Sequence, residues 1–274
     1  MNPAPYTRFV IIGAARSGTT FLQSLLKSHP DIVCLGEIFH LLSRRGHDLD
    51  AIVRDPIGYV SNTVYRSYPS QTRAVGYKTL YSQIDAESFF LRELDTSHVS
   101  PATKEKRDDF SAFMAATYDL AEVRARFASL ADFIKSDREL RVIHIQRANK
   151  LEMFLSFRLA GLSGAWNSMA GPYLNESVFL DPAECERFFV STEQRQKTFS
   201  EMFAGHPLLS VSYADLANDT ETCMAVVQEF LEVPVARLSS PLKKQAQRSM
   251  AEAISNFAEL KAHFCGTRWE QLFL

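Results

Sequence analysis

The chain has 274 residues, 46% of them apolar, enough for one domain with a full hydrophobic core. A formal net charge of −2 leaves no basic footprint for nucleic acid, which is excluded as a partner class. No stretch approaches the roughly eighteen apolar residues of a membrane span, and the segment from Met1 to Arg8 lacks the apolar core of a secretion signal.

In chain order, the apolar run Phe9–Ile12 predicts a buried strand, followed by a loop of small residues. From Ser17 or Gly18 the pattern becomes helical, with Phe21, Leu22, Leu25 and Leu26 on one face. A second strand is predicted at Ile32–Leu35 and a third at Arg73–Lys78. A helix is expected within Asp109–Phe133, where Phe110, Phe113, Met114, Tyr118, Leu120 and Phe127 have the spacing of a buried face. A strand at Leu140–Ile145 leads to a helix starting near Asn149, and 162–182 reads as loop. The last strand, Leu208–Val211, precedes a helix over Thr220–Leu231, with Asn218, Asp219 or Thr220 as its cap. Strands alternating with helices imply a parallel sheet covered on both faces, with the ligand at the strands' carboxyl ends. The expectation is a single α/β domain over 1–274, P-loop-like and three-layered, with acceptor-facing insertions at about 38–72, 85–138 and 162–182.

The first loop carries the clearest chemistry. Strand, loop and helix aim a helix N-terminus, with its unpaired N–H groups and positive dipole end, at whatever the loop holds. Gly13 and Gly18 have the spacing of a nucleoside-triphosphate P-loop, but Thr19 and Thr20 stand where that loop needs Lys-Ser/Thr. The cation sits inside the loop instead, at Arg16. Such a cradle suits a phosphate ligand other than a magnesium-bound triphosphate, and no metal cluster is recognisable. A second constellation has Arg147 at a strand end and Ser156 two helical turns further on, so that both grip one phosphate.

The run from Gly13 through Arg16-Ser17-Gly18-Thr19-Thr20, Leu22, Leu25-Leu26, His29-Pro30 and Ile32, with Gly36-Glu37 behind it, resembles the 5′-phosphosulfate loop of sulfotransferases. The arginine form is similar to that of tyrosylprotein sulfotransferases and bacterial carbohydrate sulfotransferases such as the Nod-factor enzymes. Ala15 departs from the Pro often found before the Arg. Arg147 and Ser156 resemble the family's 3′-phosphate motif, and the Arg147-x-Asn149-Lys150-Leu151 run is especially like the bacterial carbohydrate branch. Tyr213, Asp215-Leu216 and Phe230-Leu231 resemble a further family segment, with Ala214 in place of the usual Glu; Tyr213 is expected to be buried and hydrogen-bonded.

The resemblance implies transfer of a sulfuryl group from 3′-phosphoadenosine 5′-phosphosulfate (PAPS) to a hydroxyl of a carbohydrate or glycolipid, leaving adenosine 3′,5′-bisphosphate, with no metal. It implies donor binding by Arg16, Ser17, Gly18, Thr19, Thr20, Phe21, Arg147 and Ser156, with Lys243 or Lys244 closing over the nucleotide. Glu37 matches the general base of the tyrosylprotein enzymes, its pKa raised modestly by partial burial. The small-molecule enzymes place a His after Lys-Thr; here Lys78-Thr79 is followed by Leu80. Lys78, at the sheet's carboxyl edge, is matched to the donor toward the bridging oxygen, a task shared with Arg16. An ion pair or a cap is the alternative for Glu37, and a structural ion pair for Lys78. His29 is expected to pack or cap, His40 to lie near the acceptor site, and Trp166 to stack on a ligand or pack in a lid. Cys34, Cys185, Cys223 and Cys265 have no metal spacing and read as free thiols in a reducing compartment; against the membrane-anchored animal members of the family, the resemblance implies a bacterial, cytoplasmic location. A tyrosylprotein or small-molecule acceptor, a kinase and a non-catalytic nucleotide-binding module are the other readings. Oligomeric state is left open.

Overall fold

Short apolar runs separated by amphipathic segments have one economical arrangement, a parallel sheet sandwiched by helices, and the computed structural model of the chain has it. The structure describes residues 6–44, 46–84, 100–166, 177–242 and 248–274. Strands β1 (Thr7–Gly13), β2 (Ile32–Glu37), β3 (Ala74–Leu80), β4 (Arg141–Gln146) and β5 (Leu208–Ser212) form one sheet in the order β2-β3-β1-β4-β5. Every pairing is parallel. The expected α/β class and strand set are borne out.

Side chains alternate between two cores. Val10, Ile12, Tyr77 and Val142 face one side with Phe39, Ile52, Phe127 and Phe199, the last three from helices Gly46–Arg54, Leu120–Ser136 and Pro182–Met202. Phe9, Ile11, Ile143 and Ile145 face the other, against Leu22 and Leu25 of α1 (Thr19–Leu26) and Val227 of the Thr220–Phe230 helix. The central strand β1 is covered on both faces, which is why Phe9–Ile12 is a continuous apolar run. A third cluster, around Phe154, Phe189, Phe264 and Trp269, joins the C-terminal helices to the Lys150–Ser163 helix.

The single helix expected within Asp109–Phe133 is two, Pro101–Thr117 and Leu120–Ser136. Asp119 breaks the run: its carboxylate accepts the N–H groups of Ala121 and Glu122 and caps the second helix. Met114 and Phe127 are buried as expected, whereas Phe113 is exposed. Asp219 is the cap of the Thr220–Phe230 helix. All four cysteines are free, and Cys34 and Cys185 are buried. Among the described residues no helix is long and apolar enough to cross a membrane.

A histidine lies inside the first core. His144 on β4 is fully buried; its Nε2 pairs with the Tyr81 hydroxyl, and its Nδ1 lies 3.3 Å from Ser200 Oγ. The Tyr81 ring stacks on Phe199 with centroids 4.4 Å apart. Burial pulls the imidazole down to about 4, so it is neutral in the fold.

Phe127→Ala should cost about 3–5 kcal/mol, read as a lower denaturant midpoint, because the surrounding aromatic cluster cannot collapse into the space. His144 gives a pH dependence. The unfolded chain takes up its proton near the ordinary histidine value of 6.5, but the fold resists until about 4. Stability from this group is complete above 6.5 and is lost as pH falls towards 4, by on the order of 3 kcal/mol. Denaturation series at several pH values should show that slope, and His144→Gln should flatten it.

Candidate active site

In a parallel sheet all carboxyl ends emerge along one edge, so the segments after the strands meet there. The connection after β1 runs towards β2 and the one after β4 runs towards β5. The crevice between β1 and β4 is therefore the topological switch point, where open α/β sheets bind ligands. The loop 13–18 follows β1 and Arg147 follows β4, so the two phosphate-type motifs flank that crevice.

Sterics shape the loop. A Cβ on Gly13 would meet Ser17 Oγ at 2.7 Å and Thr19 Cγ2 at 2.8 Å. Gly18 has φ 98° and a Cβ there would lie 2.4 Å from Tyr213 Cδ2, so no other residue fits. Arg16 also has left-handed backbone, φ 67°, at a cost of about 1–2 kcal/mol. Side-chain bonds hold it: Nε donates to Ser156 Oγ at 2.9 Å and Nη1 to the Trp166 carbonyl at 2.5 Å. Arg16 thus joins the two motifs directly. Ser17 is fully buried, and its hydroxyl and N–H both donate to the Ala14 carbonyl, which closes the loop on itself. Thr19 is buried, and Phe21 is half-buried and packs against the second core.

Lys78, on β3, is 3% exposed, and an ammonium at that depth requires partners. Its Nζ lies 2.6 Å from Glu37 Oε1 and donates to Thr20 Oγ1 at 2.7 Å. A bulge makes the first contact possible. Leu35 pairs with Tyr77 but Glu37, not Gly36, pairs with Lys78, so the extra residue turns Glu37 onto the lysine's face. Gln83 donates from Nε2 to Glu37 Oε2 at 2.7 Å. Burial alone pushes the Glu37 carboxyl up, but the Lys78 charge and hydrogen bonds from Lys78 and Gln83, with His40 adding, pull it below the ordinary glutamate value. The upward shift expected from partial burial is reversed, because the charge partner is within contact distance. Glu37 is ionised at neutral pH.

Arg147 is an ion-pair partner of Glu152 and lies over the Tyr213 ring, 4.4 Å from its centroid. Its Nη1 donates to the Arg16 carbonyl at 3.4 Å, while its buried Nε has no hydrogen-bond partner among the described residues. Tyr213 is half-buried, not buried, and contributes a ring contact where a hydrogen bond was expected. Asn149 caps the helix that carries Ser156 by accepting the Glu152 N–H. His29 is structural: its Nδ1 accepts the Asp31 N–H, so Nε2 donates to the Pro234 carbonyl at 2.9 Å. His40 follows the buried turn residues Ile38 and Phe39 and is itself exposed, and its backbone N–H donates to the Glu37 carbonyl. The Trp166 ring meets Phe157 edge-on. Lys243 and Lys244 lie outside the described residues. Among the described residues no His, Cys, Asp and Glu side chains gather as a metal site.

Sequence reasoning missed Gln83, Glu152 and the role of the Tyr213 ring. Glu152 was detectable three residues after the Asn149 cap. Tyr213 follows β5 as Arg147 follows β4, and the shared edge was the available signal.

A model of the sulfotransferase family matches residues 8–237, and the chain belongs to that family. It is 28% identical over 276 residues to nodulation protein H of Rhizobium tropici, covering 99% of this chain and 94% of that protein. Nodulation protein H of Rhizobium meliloti is 23% identical, over 98% of this chain and 96% of that protein. A crystal structure of a sulfotransferase from Alicyclobacillus acidocaldarius has 15% identity, 97% and 95% coverage and a TM-score of 0.47. The bacterial branch named from the motifs is the one these nodulation relatives support.

Proposed function

We propose that this sulfotransferase moves a sulfuryl group from PAPS to a hydroxyl of a carbohydrate or glycolipid acceptor, with Glu37 as general base. The observation that carries the reading is the Glu37–Lys78 pair, 2.6 Å apart at the sheet edge that also carries Arg16 and Arg147. The acceptor class rests on the resemblance to bacterial carbohydrate sulfotransferases, which the similarity to nodulation protein H supports.

The residues fit the donor. N–H groups in the first turn of α1 lack intrahelical acceptors and, with Arg16 and Lys78, suit a 5′-phosphosulfate. The buried Arg147 Nε, without a partner among the described residues, is a donor that a 3′-phosphate oxygen would satisfy, with Ser156 on the neighbouring helix. An ammonium has three N–H groups; Lys78 uses two on Glu37 and Thr20, which leaves one for a bridging oxygen.

In the transfer, the acceptor oxygen forms the new S–O bond while the bond from sulfur to the bridging oxygen breaks. That electron pair stays on the phosphate oxygen, where Lys78 and Arg16 offset the charge. The acceptor proton passes to the Glu37 carboxylate. The products are a sulfate ester and adenosine 3′,5′-bisphosphate. Positioning and fixed charges carry such a reaction, as in phosphoryl transfer.

Glu37→Gln should lower turnover by about 10²–10⁴-fold while adenosine 3′,5′-bisphosphate binds as before. Sulfate transfer would be followed on neutral and amino-sugar oligosaccharides, their lipid conjugates, a tyrosine peptide and a simple phenol. Undiminished turnover removes Glu37 as base, and transfer to the peptide alone overturns the acceptor class. Arg147→Ala should weaken adenosine 3′,5′-bisphosphate roughly 10–100-fold, the value of one or two charge-assisted bonds, with adenosine 5′-phosphate little changed. Calorimetry checks this, and equal losses for both nucleotides would put the 3′-phosphate elsewhere. Thermal stabilisation by ATP–Mg²⁺ but not by adenosine 3′,5′-bisphosphate would sink the donor assignment.

A further inference from the structure

We infer that Gln83 is a positioning residue of this site: it aims the Glu37 carboxylate and holds it while the charge of Lys78 is shared with the donor. The inference rests on Glu37 acting as base.

The geometry starts in the backbone. β3 runs straight into a one-turn helix, Tyr81–Ile84, so the residues after Lys78-Thr79-Leu80 turn back over the strand's end. Gln83 is 4% exposed, and both ends of its amide are in use. Its Oε1 accepts the Leu80 N–H at 3.0 Å and lies 3.4 Å from Thr79 Oγ1. A main-chain N–H only donates, so the oxygen end of the amide must face it, and the NH₂ end must face Glu37. The 2.7 Å bond from Nε2 to Glu37 Oε2 therefore has one allowed orientation.

The turn that carries Gln83 is itself anchored. Two residues earlier, the Tyr81 hydroxyl pairs with buried His144 and its ring stacks on Phe199. Gln83 is thus held between strand β3 and the first core, and its amide cannot swing with solvent.

The two carboxylate oxygens have different kinds of donor. Oε1 has Lys78, a cation also bonded to Thr20 on the first turn of α1. An arriving phosphosulfate competes for that ammonium. Oε2 has Gln83, a neutral donor that no anion attracts away. Around the carboxylate the other charged or titratable groups are His40 on the following turn and Arg44, whose Nη2 donates to the Glu37 carbonyl at 3.0 Å. Without Gln83, the Glu37 carboxylate is directed through Oε1 alone, by a lysine whose charge the donor shares.

The test uses the full chain, with Glu37 titrated by ¹³C NMR on carboxyl-labelled glutamate and identified as the signal missing in Glu37→Gln. Gln83→Met keeps the volume and removes both bonds. Gln83→Glu keeps the acceptor for Leu80 N–H and replaces the amide donor with a second carboxyl, so it guards against misfolding of the first variant. Adenosine 3′,5′-bisphosphate should bind both variants within twofold of the parent, which a collapsed site would not allow. In Gln83→Met the Glu37 midpoint should rise by about one pH unit, and in Gln83→Glu by more, because two carboxylates at that distance share a proton. In sulfate transfer to the best oligosaccharide of the panel, kcat should fall about 10–100-fold with the KM for PAPS unchanged, and the acid limb should move with the midpoint. An unmoved midpoint and unmoved kcat in a variant that binds the nucleotide would overturn the role of Gln83. If Glu37→Gln itself keeps full turnover, the base assignment fails instead, whatever Gln83 does.

Discussion

A lysine ammonium buried at the end of a central strand is the constraint around which this site is built. At 3% exposure Lys78 cannot rely on water, so it must find oxygen partners within reach. Glu37 and Thr20 are those partners, and each comes from a different segment. The ion pair fixes the end of β2 against β3, and the hydroxyl contact fixes the first turn of α1 above both. A mutually paired lysine and carboxylate also depress the carboxyl pKa, so Glu37 is charged before any substrate arrives. The groups that stabilise one another in the resting protein are thereby the groups proposed to carry the transfer.

Arg16 plays the corresponding part on the other side of β1. Its left-handed backbone is unfavourable on its own and persists because three neighbours hold it: Ser156, the Trp166 carbonyl and the guanidinium of Arg147. The loop after β1 and the helix after β4 are consequently one structural unit across the switch point. Tyr213, after β5, supports both by lying under Arg147 and against Gly18. Three strand ends that are distant in sequence therefore form one wall.

Much of this was legible in the residues. β1 had to be a buried central strand, because Phe9–Ile12 has no polar face. Gly13, Arg16, Gly18 and Thr20 marked a cradle without the triphosphate lysine, and Arg147 with Ser156 marked a second anion grip. Illegible features depend on single hydrogen bonds or on register. The break at Tyr118–Asp119 was hidden because Asp119 lies inside a run with continuous helical periodicity, and only its bonds to two N–H groups end one helix and start the next. Phe113 had the spacing of a buried residue but faces outward, since periodicity says which residues share a face and not whether that face is covered.

The sequence by itself determined the class of fold, the positions of the strands along the chain and the residue types gathered at the two anion-type motifs, because hydrophobic period and motif spacing are local properties of the chain. Tertiary structure alone decided that Glu37 faces Lys78, since that depends on one extra residue in the β2–β3 register. It alone decided the direction of the Glu37 pKa shift, which is a balance of burial against a contact. Gln83 likewise acquires its place only because Leu80 N–H fixes one end of its amide and leaves the other for the carboxylate. Distances between strand ends are not written in any one segment; they arise when parallel pairing brings those ends to a common edge.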